Sequence, residues 1–227
     1  MKQITYMYKD TKTWNPFKGC GFDCIYCEPS FKRQAKRQKN RCIKCYNYKP
    51  HFHPERLNKI PKADLVFACG NGDISFANTE QICGILHKIQ YKPEQTFLLQ
   101  TKNPKSLRKY RIPANVIVGT TIETNRDTTE ISKAPATEHR YRHLSNLMCR
   151  KFVTIEPIMD FDLDVMVKWI FDINPEIVWV GYNNYQNAIH LVEPTLEKTN
   201  KLIDELNKFT NVRLKTIRDK IIIKETL

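Results

Sequence analysis

What most limits the fold of this chain is an alternation of short apolar runs with stretches of helical periodicity. Runs at 65–69, 96–101, 116–122, 152–155 and 177–180 are rich in β-branched and aromatic residues and stop at polar ones. Each is too short to bury as a helix and suits a strand covered on both faces. Between them, 79–89 places Ile82, Ile85, Leu86 and Ile89 at helical spacing, and 138–149, 163–171 and 196–209 read as further helices. Such alternation predicts right-handed β-α units around a parallel sheet. With Thr11-Lys12-Thr13-Trp14 as first strand the units number six, and 212–217 is a candidate last strand. A further extended run lies at 4–8. Six units in 227 residues fall short of an eight-fold barrel, so the expected fold is α/β, a partial (open) (β/α)6 TIM-like barrel. Hydrophobic residues make up 41%, enough for one core, and a single domain over 1–227 is expected.

In parallel α/β folds, ligands gather at the carboxyl ends of the strands. Polar residues stand there immediately after the apolar runs: Asn71 and Asp73, Lys102, Glu123, Glu156, and Tyr182 with Asn183. The loop leaving the first strand reaches the same edge, opened by Pro16 and Gly19, and carries Cys20, Cys24 and Cys27 in a C-x3-C-x2-C spacing. Thiolates select soft metals and iron–sulfur clusters. A cubane held by three protein thiols leaves one iron open, unlike the four-cysteine ligation of an electron carrier. A zinc site or unrelated thiols is the alternative.

This spacing, with Tyr26 just before the last cysteine, resembles the motif of the radical S-adenosylmethionine enzymes. The lead-in Thr13-Trp14-Asn15-Pro16-x-x-Gly19-Cys20 looks like that of a small, partly phage-associated subgroup of unknown substrate. The resemblance implies a half-open barrel and a [4Fe–4S] cluster on Cys20, Cys24 and Cys27, with S-adenosylmethionine chelating the open iron. It also implies an external reductant such as a ferredoxin or flavodoxin, and reductive cleavage to methionine and a 5′-deoxyadenosyl radical that abstracts hydrogen from a substrate. Gly70-Asn71-Gly72-Asp73 falls where that family has its glycine-rich segment, although Asn replaces a usual glycine and Asp stands where Glu is common. By the same analogy Thr121 or Glu123 would meet ribose hydroxyls, Arg140 or Arg142 the methionine carboxylate, and Tyr182, Asn183 and Tyr26 the adenine. Lys102 and Glu156 then remain for substrate, or form an ion pair across the barrel mouth. Cys69, Cys83 and Cys149 are expected as core thiols.

The net charge of +13, from 37 Lys+Arg against 24 Asp+Glu, favours an anionic partner. Residues 28–39 read as a helix capped by Ser30, and Lys32, Arg33, Lys36, Arg37, Lys39 and Arg41 make it basic. It is either a solvated face or a phosphate-binding one. The expected substrate is a nucleic acid or nucleotide. A protein or small anionic metabolite is the rival, and a non-catalytic zinc module gripping nucleic acid is a third reading. Over 40–60 a Cys/His-rich insertion after the first helix offers Cys42, Cys45, His51 and His53 as candidate ligands for zinc or a second iron–sulfur cluster. The start, Met1-Lys2-Gln3-Ile4-Thr5-Tyr6, has no apolar leader, and no stretch is long enough to span a membrane. Eight cysteines without a leader fit a reducing cytoplasm.

Overall fold

The computed structural model describes residues 11–219, so the extended run at 4–8 lies outside the described residues. In chain order the elements are β1 (Thr11–Trp14), β2 (Phe17–Lys18), a helical stretch over 25–38 that includes α1 (Arg33–Ala35), α2 (Ile43–Tyr46), β3 (His51–Phe52), β4 (Leu65–Ala68), α3 (Thr79–Gln90), β5 (Thr96–Gln100), β6 (Val116–Thr121), α4 (Thr137–Ser145), β7 (Arg150–Ile155), α5 (Leu163–Ile173), β8 (Ile177–Val180), α6 (Leu196–Leu206) and β9 (Asn211–Leu214). Seven strands form one sheet in the order β1-β4-β5-β6-β7-β8-β9, and every neighbouring pair is parallel. The sheet is a strongly curled, open half-barrel. The six expected strands are present, and the candidate at 212–217 is realised as β9.

Alternation along each strand decides what the two faces hold. Val66, Leu99, Val118, Val153 and Val180 point toward the helices and join one large core with Ile85, Ile170 and Leu202. Their neighbours Phe67, Leu98, Ile117, Phe152 and Trp179 point the other way and form a second apolar cluster that fills the concave side. Two to four residues further along the strands, on the same face, the inward residues become polar: Gln100, Thr121 and Thr154. The switch turns a packed barrel interior into the floor of a cavity.

The helices begin and end on local signals. Asn78 caps α3, and a reciprocal bond with Gln81 completes a capping box. The left-handed Asn174 (φ 52°) ends α5. The stripe Ile82, Ile85, Leu86 and Ile89 faces the sheet as expected, which turns Cys83 outward; it is exposed, not a core thiol. After Lys102 the chain makes a single helical turn, Pro104–Leu107. Ser30 is no N-cap: the helical stretch already begins at Ile25, and the Ser30 hydroxyl donates back to the carbonyls of Tyr26 (3.1 Å) and Cys27 (3.4 Å). Among the described residues no helix is long and apolar enough to cross a membrane.

Candidate active site

The loop after β1 is held from two sides. On one side β2 pairs with β3, matching Phe17 with Phe52 and Lys18 with His51. Gly19 follows at φ 83°, with the Lys49 carbonyl where a side chain would stand, and Cys20 N–H donates to the Tyr48 carbonyl (3.1 Å). Gly19 also exchanges hydrogen bonds with the turn after β4, donating to Asn71 O (3.0 Å) and accepting from Asp73 N–H (3.1 Å). A Cβ on Gly72 would sit 2.7 Å from the Gly19 backbone, so the close approach needs glycine at both positions. On the other side, the segment after β6 closes over the loop. Ile25 N–H donates to Ile131 O (2.9 Å), Lys133 N–H donates to Phe22 O (2.7 Å), and Cys24 Sγ lies 3.0 Å from Ser132 Oγ.

All three thiols line one cavity at the carboxyl edge of the sheet, about 900 Å³ of space open to solvent. Burial and then Asp73 push the Cys20 thiol up to about 12, whereas a hydrogen bond from Cys27 brings Cys24 down to about 6 against its burial. Cys27, as the donor and buried, is pushed up. Cys69 also lines the cavity, and burial raises its thiol to about 12.

Within the floor, Gln100 donates to the hydroxyls of Thr121 and Thr154 (2.8 Å each). Asp73 is buried and already engaged, accepting from Ser75 N–H (3.0 Å), the Thr101 hydroxyl (2.6 Å) and Lys102 N–H (2.8 Å). It thereby fixes the backbone from which the Lys102 side chain reaches Glu123 Oε1 (2.5 Å) and the Tyr26 hydroxyl; Tyr26 in turn donates to Glu123. The second carboxylate oxygen of Glu123 accepts from Arg140 Nη1 (2.8 Å). Burial opposes ionisation of Glu123, but Arg140 and Lys102 outweigh it and hold its carboxyl below the usual range. Across the cavity Glu156 pairs with Lys215.

Most residues expected at the site therefore meet there: Cys20, Cys24, Cys27, Tyr26, Gly70, Gly72, Asp73, Lys102, Thr121 and Glu156 line the cavity. Lys102 and Glu156 do not pair with each other as one reading had it; each has its own partner, Glu123 and Lys215. Asn71 is turned away, its backbone held by Asn15 Oδ1 (2.9 Å). Arg140 is fully buried behind Glu123, also bound to the carbonyls of Thr121 (3.0 Å) and Pro135 (2.6 Å), so it does not face the cavity. Arg142 pairs with Glu138 on the surface. The cations on the cavity wall are instead Lys32, Lys102 and Lys215. Tyr182 is buried with its hydroxyl at Thr199 (2.7 Å), and the Asn183 side chain serves the Ile189 carbonyl (2.9 Å). Neither reaches the cavity, because the chain beyond β8 turns outward to build the 183–191 loop. Sequence reasoning missed Lys215, Tyr48, Gln100 and Thr154. Lys215 stands at a strand end only because β9 stops at Leu214, short of the expected 217; the threonine floor needed the strand register.

A parallel, open half-barrel with a three-thiol loop at its carboxyl edge defines the class. The chain belongs to the family described as "protein of unknown function (DUF5131)", whose profile matches residues 3–181. No curated protein matches the sequence. Among solved structures, a point mutant of spore photoproduct lyase is similar with a TM-score of 0.56 at 10% identity, over 90% of this chain and 76% of that one. SuiB of Streptococcus suis bound to S-adenosylmethionine is similar with a TM-score of 0.52 at 10% identity, over 91% of this chain and 50% of that one. SuiB bound to the precursor peptide SuiA gives 0.53 at 10% identity, over 91% and 48%. At such identity these likenesses establish a shared fold.

Proposed function

We propose that the chain is a radical S-adenosylmethionine enzyme acting in the cytoplasm. Its Cys20, Cys24 and Cys27 would hold a [4Fe–4S] cluster, and the cavity beside them would take the cofactor. The observation that carries the reading is the convergence of all three thiols of the C-x3-C-x2-C loop on one cavity at the carboxyl edge of a parallel half-barrel. The donor set fits: soft sulfur ligands, buried or half-buried, on a loop braced from both sides. A protein of the same fold has been solved with S-adenosylmethionine bound, which supports the choice of cofactor. When bound, the two groups would supply reductive carbon–sulfur cleavage and a 5′-deoxyadenosyl radical able to take hydrogen from a substrate, with the electron from a ferredoxin or flavodoxin.

The chain's own residues bind and orient. Lys102 and Glu123 fix the Tyr26 ring at the cavity wall, and Lys102 also sits 4.6 Å from the centre of that ring. Asp73 holds the strand end that carries Lys102. The Phe67 and Trp179 layer closes the barrel beneath the site. Thr121 offers a hydroxyl for the cofactor ribose, and Lys215 with Glu156 stands opposite as the pair available to substrate.

For that substrate we favour a nucleic acid or nucleotide. Arg37, Lys39 and Arg41 are exposed and have no acidic partner among the described residues, and they follow directly on the cavity-lining Phe31 and Lys32. The fold likeness does not choose, since it extends to a lyase named for a spore photoproduct and to a protein solved with a peptide. The test is anaerobic reconstitution with iron and sulfide, then cofactor and dithionite, with 5′-deoxyadenosine followed by chromatography. Product from wild type and none from Cys20→Ser/Cys24→Ser/Cys27→Ser is expected. No product from a protein with a verified four-iron cluster overturns the reading. Filter binding of RNA and DNA at two salt concentrations tests the substrate class, because phosphate contacts make affinity fall steeply with salt.

A further inference from the structure

Outside the cavity, one cluster of side chains has the geometry of a closed metal site. Cys42, Cys45, His51 and His53 bring two Sγ and two imidazole nitrogens within 4.8 Å of one another. His51 Nε2 lies 3.4 Å from Cys42 Sγ and 3.3 Å from Cys45 Sγ, and His53 Nε2 lies 3.2 Å from Cys45 Sγ. In a tetrahedral zinc site with Zn–S of about 2.3 Å and Zn–N of about 2.0 Å, the S···N edges are about 3.5 Å. The four atoms already stand close to those corners.

The histidines are also held in the right sense. His51 Nδ1 meets the Lys49 carbonyl at 2.7 Å and His53 Nδ1 meets Glu55 Oε1 at 2.8 Å. Each Nδ1 facing an oxygen must carry the proton, so each Nε2 presents a lone pair to the thiols. Outer acceptors that fix the tautomer in this way are a regular accompaniment of metal-bound imidazole. Hydrogen bonding leaves one contact over: Cys42 can donate to His51 Nε2 and Cys45 to His53 Nε2, and the 3.3 Å approach of Cys45 Sγ to His51 Nε2 then has no proton to share. The Cys45 N–H donates to Cys42 Sγ (3.1 Å), a bond that a thiolate strengthens.

We propose that Cys42, Cys45, His51 and His53 bind one zinc ion in a closed, structural site. Two thiolates balance the charge of the ion and two neutral imidazoles complete the tetrahedron. The S2N2 donor set selects zinc over the hard divalent cations. Four ligand atoms gathered within 4.8 Å close around a single ion, whereas a second iron–sulfur cluster spreads its ligands over several. All four positions come from protein, so the ion has no open place for substrate. Its role is mechanical. It ties α2 to β3, and β3 pairs with β2, which runs directly into Cys20. The Tyr48 carbonyl that receives the Cys20 N–H lies between the two ligand pairs. The site is independent of how the cavity is used.

The test is metal analysis of the full chain purified without chelator. One zinc per chain is expected in wild type and in Cys20→Ser/Cys24→Ser/Cys27→Ser, with loss of that zinc in Cys42→Ser/Cys45→Ser. Zinc that survives in the Cys42/Cys45 variant, or iron bound at this site in place of zinc, overturns the proposal. Should the double variant fail to fold, cobalt added to chelator-stripped wild type decides. The intense visible bands of tetrahedral cobalt with thiolate ligands, displaced by one equivalent of zinc, are expected; their absence overturns the site.

Discussion

Two cysteine-bearing segments lie next to each other in this fold and differ in what the protein leaves unfilled. The 42–53 segment brings four ligand atoms together and directs both histidines inward through outer acceptors. The 20–27 loop offers three thiols and sets them on the wall of a cavity, among Lys102, Thr121 and Glu156. On our proposal the first arrangement would close around an ion and brace the chain. The second, with three thiols, would leave coordination to be completed by something that enters from solvent. The number of protein ligands, more than their identity, separates a brace from a reaction centre.

Removing a thiol from the open loop should have the largest effect. Cys24→Ser is expected to abolish 5′-deoxyadenosine formation and most bound iron, while zinc content stays at the wild-type level. Parallel loss of both metals would show that the two segments are one site. Next in size is the charge pair behind the cavity wall. Arg140→Met leaves Glu123 buried beside Lys102 alone, and removing one partner of a buried pair costs about 3–5 kcal/mol. Urea unfolding measures it. Glu123 titrates below its ordinary 4.5 because Arg140 and Lys102 overcome the effect of burial, so its contribution is complete above pH 4.5 and is lost as pH falls through the lowered value. Wild type should lose stability over that acid window, and Arg140→Met should show a flatter fall.

Opening the closed site should act more mildly on chemistry than Cys24→Ser does. Cys42→Ser/Cys45→Ser is expected to lower Tm by more than about 4 °C, since each kcal/mol is worth about 2–4 °C in a chain of this size. It should reduce cluster loading without abolishing it, because the turn after β4 and the segment after β6 still hold the loop. Unchanged Tm and loading would detach the brace from the cluster loop. The smallest effect is expected from Cys69→Ala. This thiol lines the same cavity, and burial keeps it protonated. Iron content should not change; a loss would mean that a fourth protein thiol closes the cluster, and the contrast between the two segments would fail.

The order of strands, the edge that carries the site and the thiols on it were legible in residue types and spacing. Apolar runs of strand length announce a parallel sheet, and the residue following each run sits at its carboxyl end whatever the details of packing. Lys102 and Glu156 were placed on the cavity that way; Glu123 also follows a run, but it is fully buried, with its oxygens taken by Lys102, Tyr26 and Arg140, and does not line the cavity where ribose hydroxyls were expected to meet it. Arg140 was misread because a basic residue on a helix gives no sign in sequence of which way it faces. Here α4 turns it inward, where the carboxylate of Glu123 and two carbonyls compensate its desolvation. Tyr182 and Asn183 follow a strand as Glu156 does, yet the chain leaving β8 folds back on itself and uses both for its own loop.

By itself, the sequence determined the alternation that makes the sheet and the grouping of cysteines into three and two plus two histidines. These follow from local periodicity and covalent spacing, which distant contacts do not alter. Only the tertiary structure decided which polar groups pair with one another: Lys102 with Glu123, Glu156 with Lys215, and His51 and His53 with the two thiols. A charge or a lone pair takes its partner from whatever lies within about 3–4 Å, and that neighbourhood exists only once the sheet has curled and brought its strand ends together.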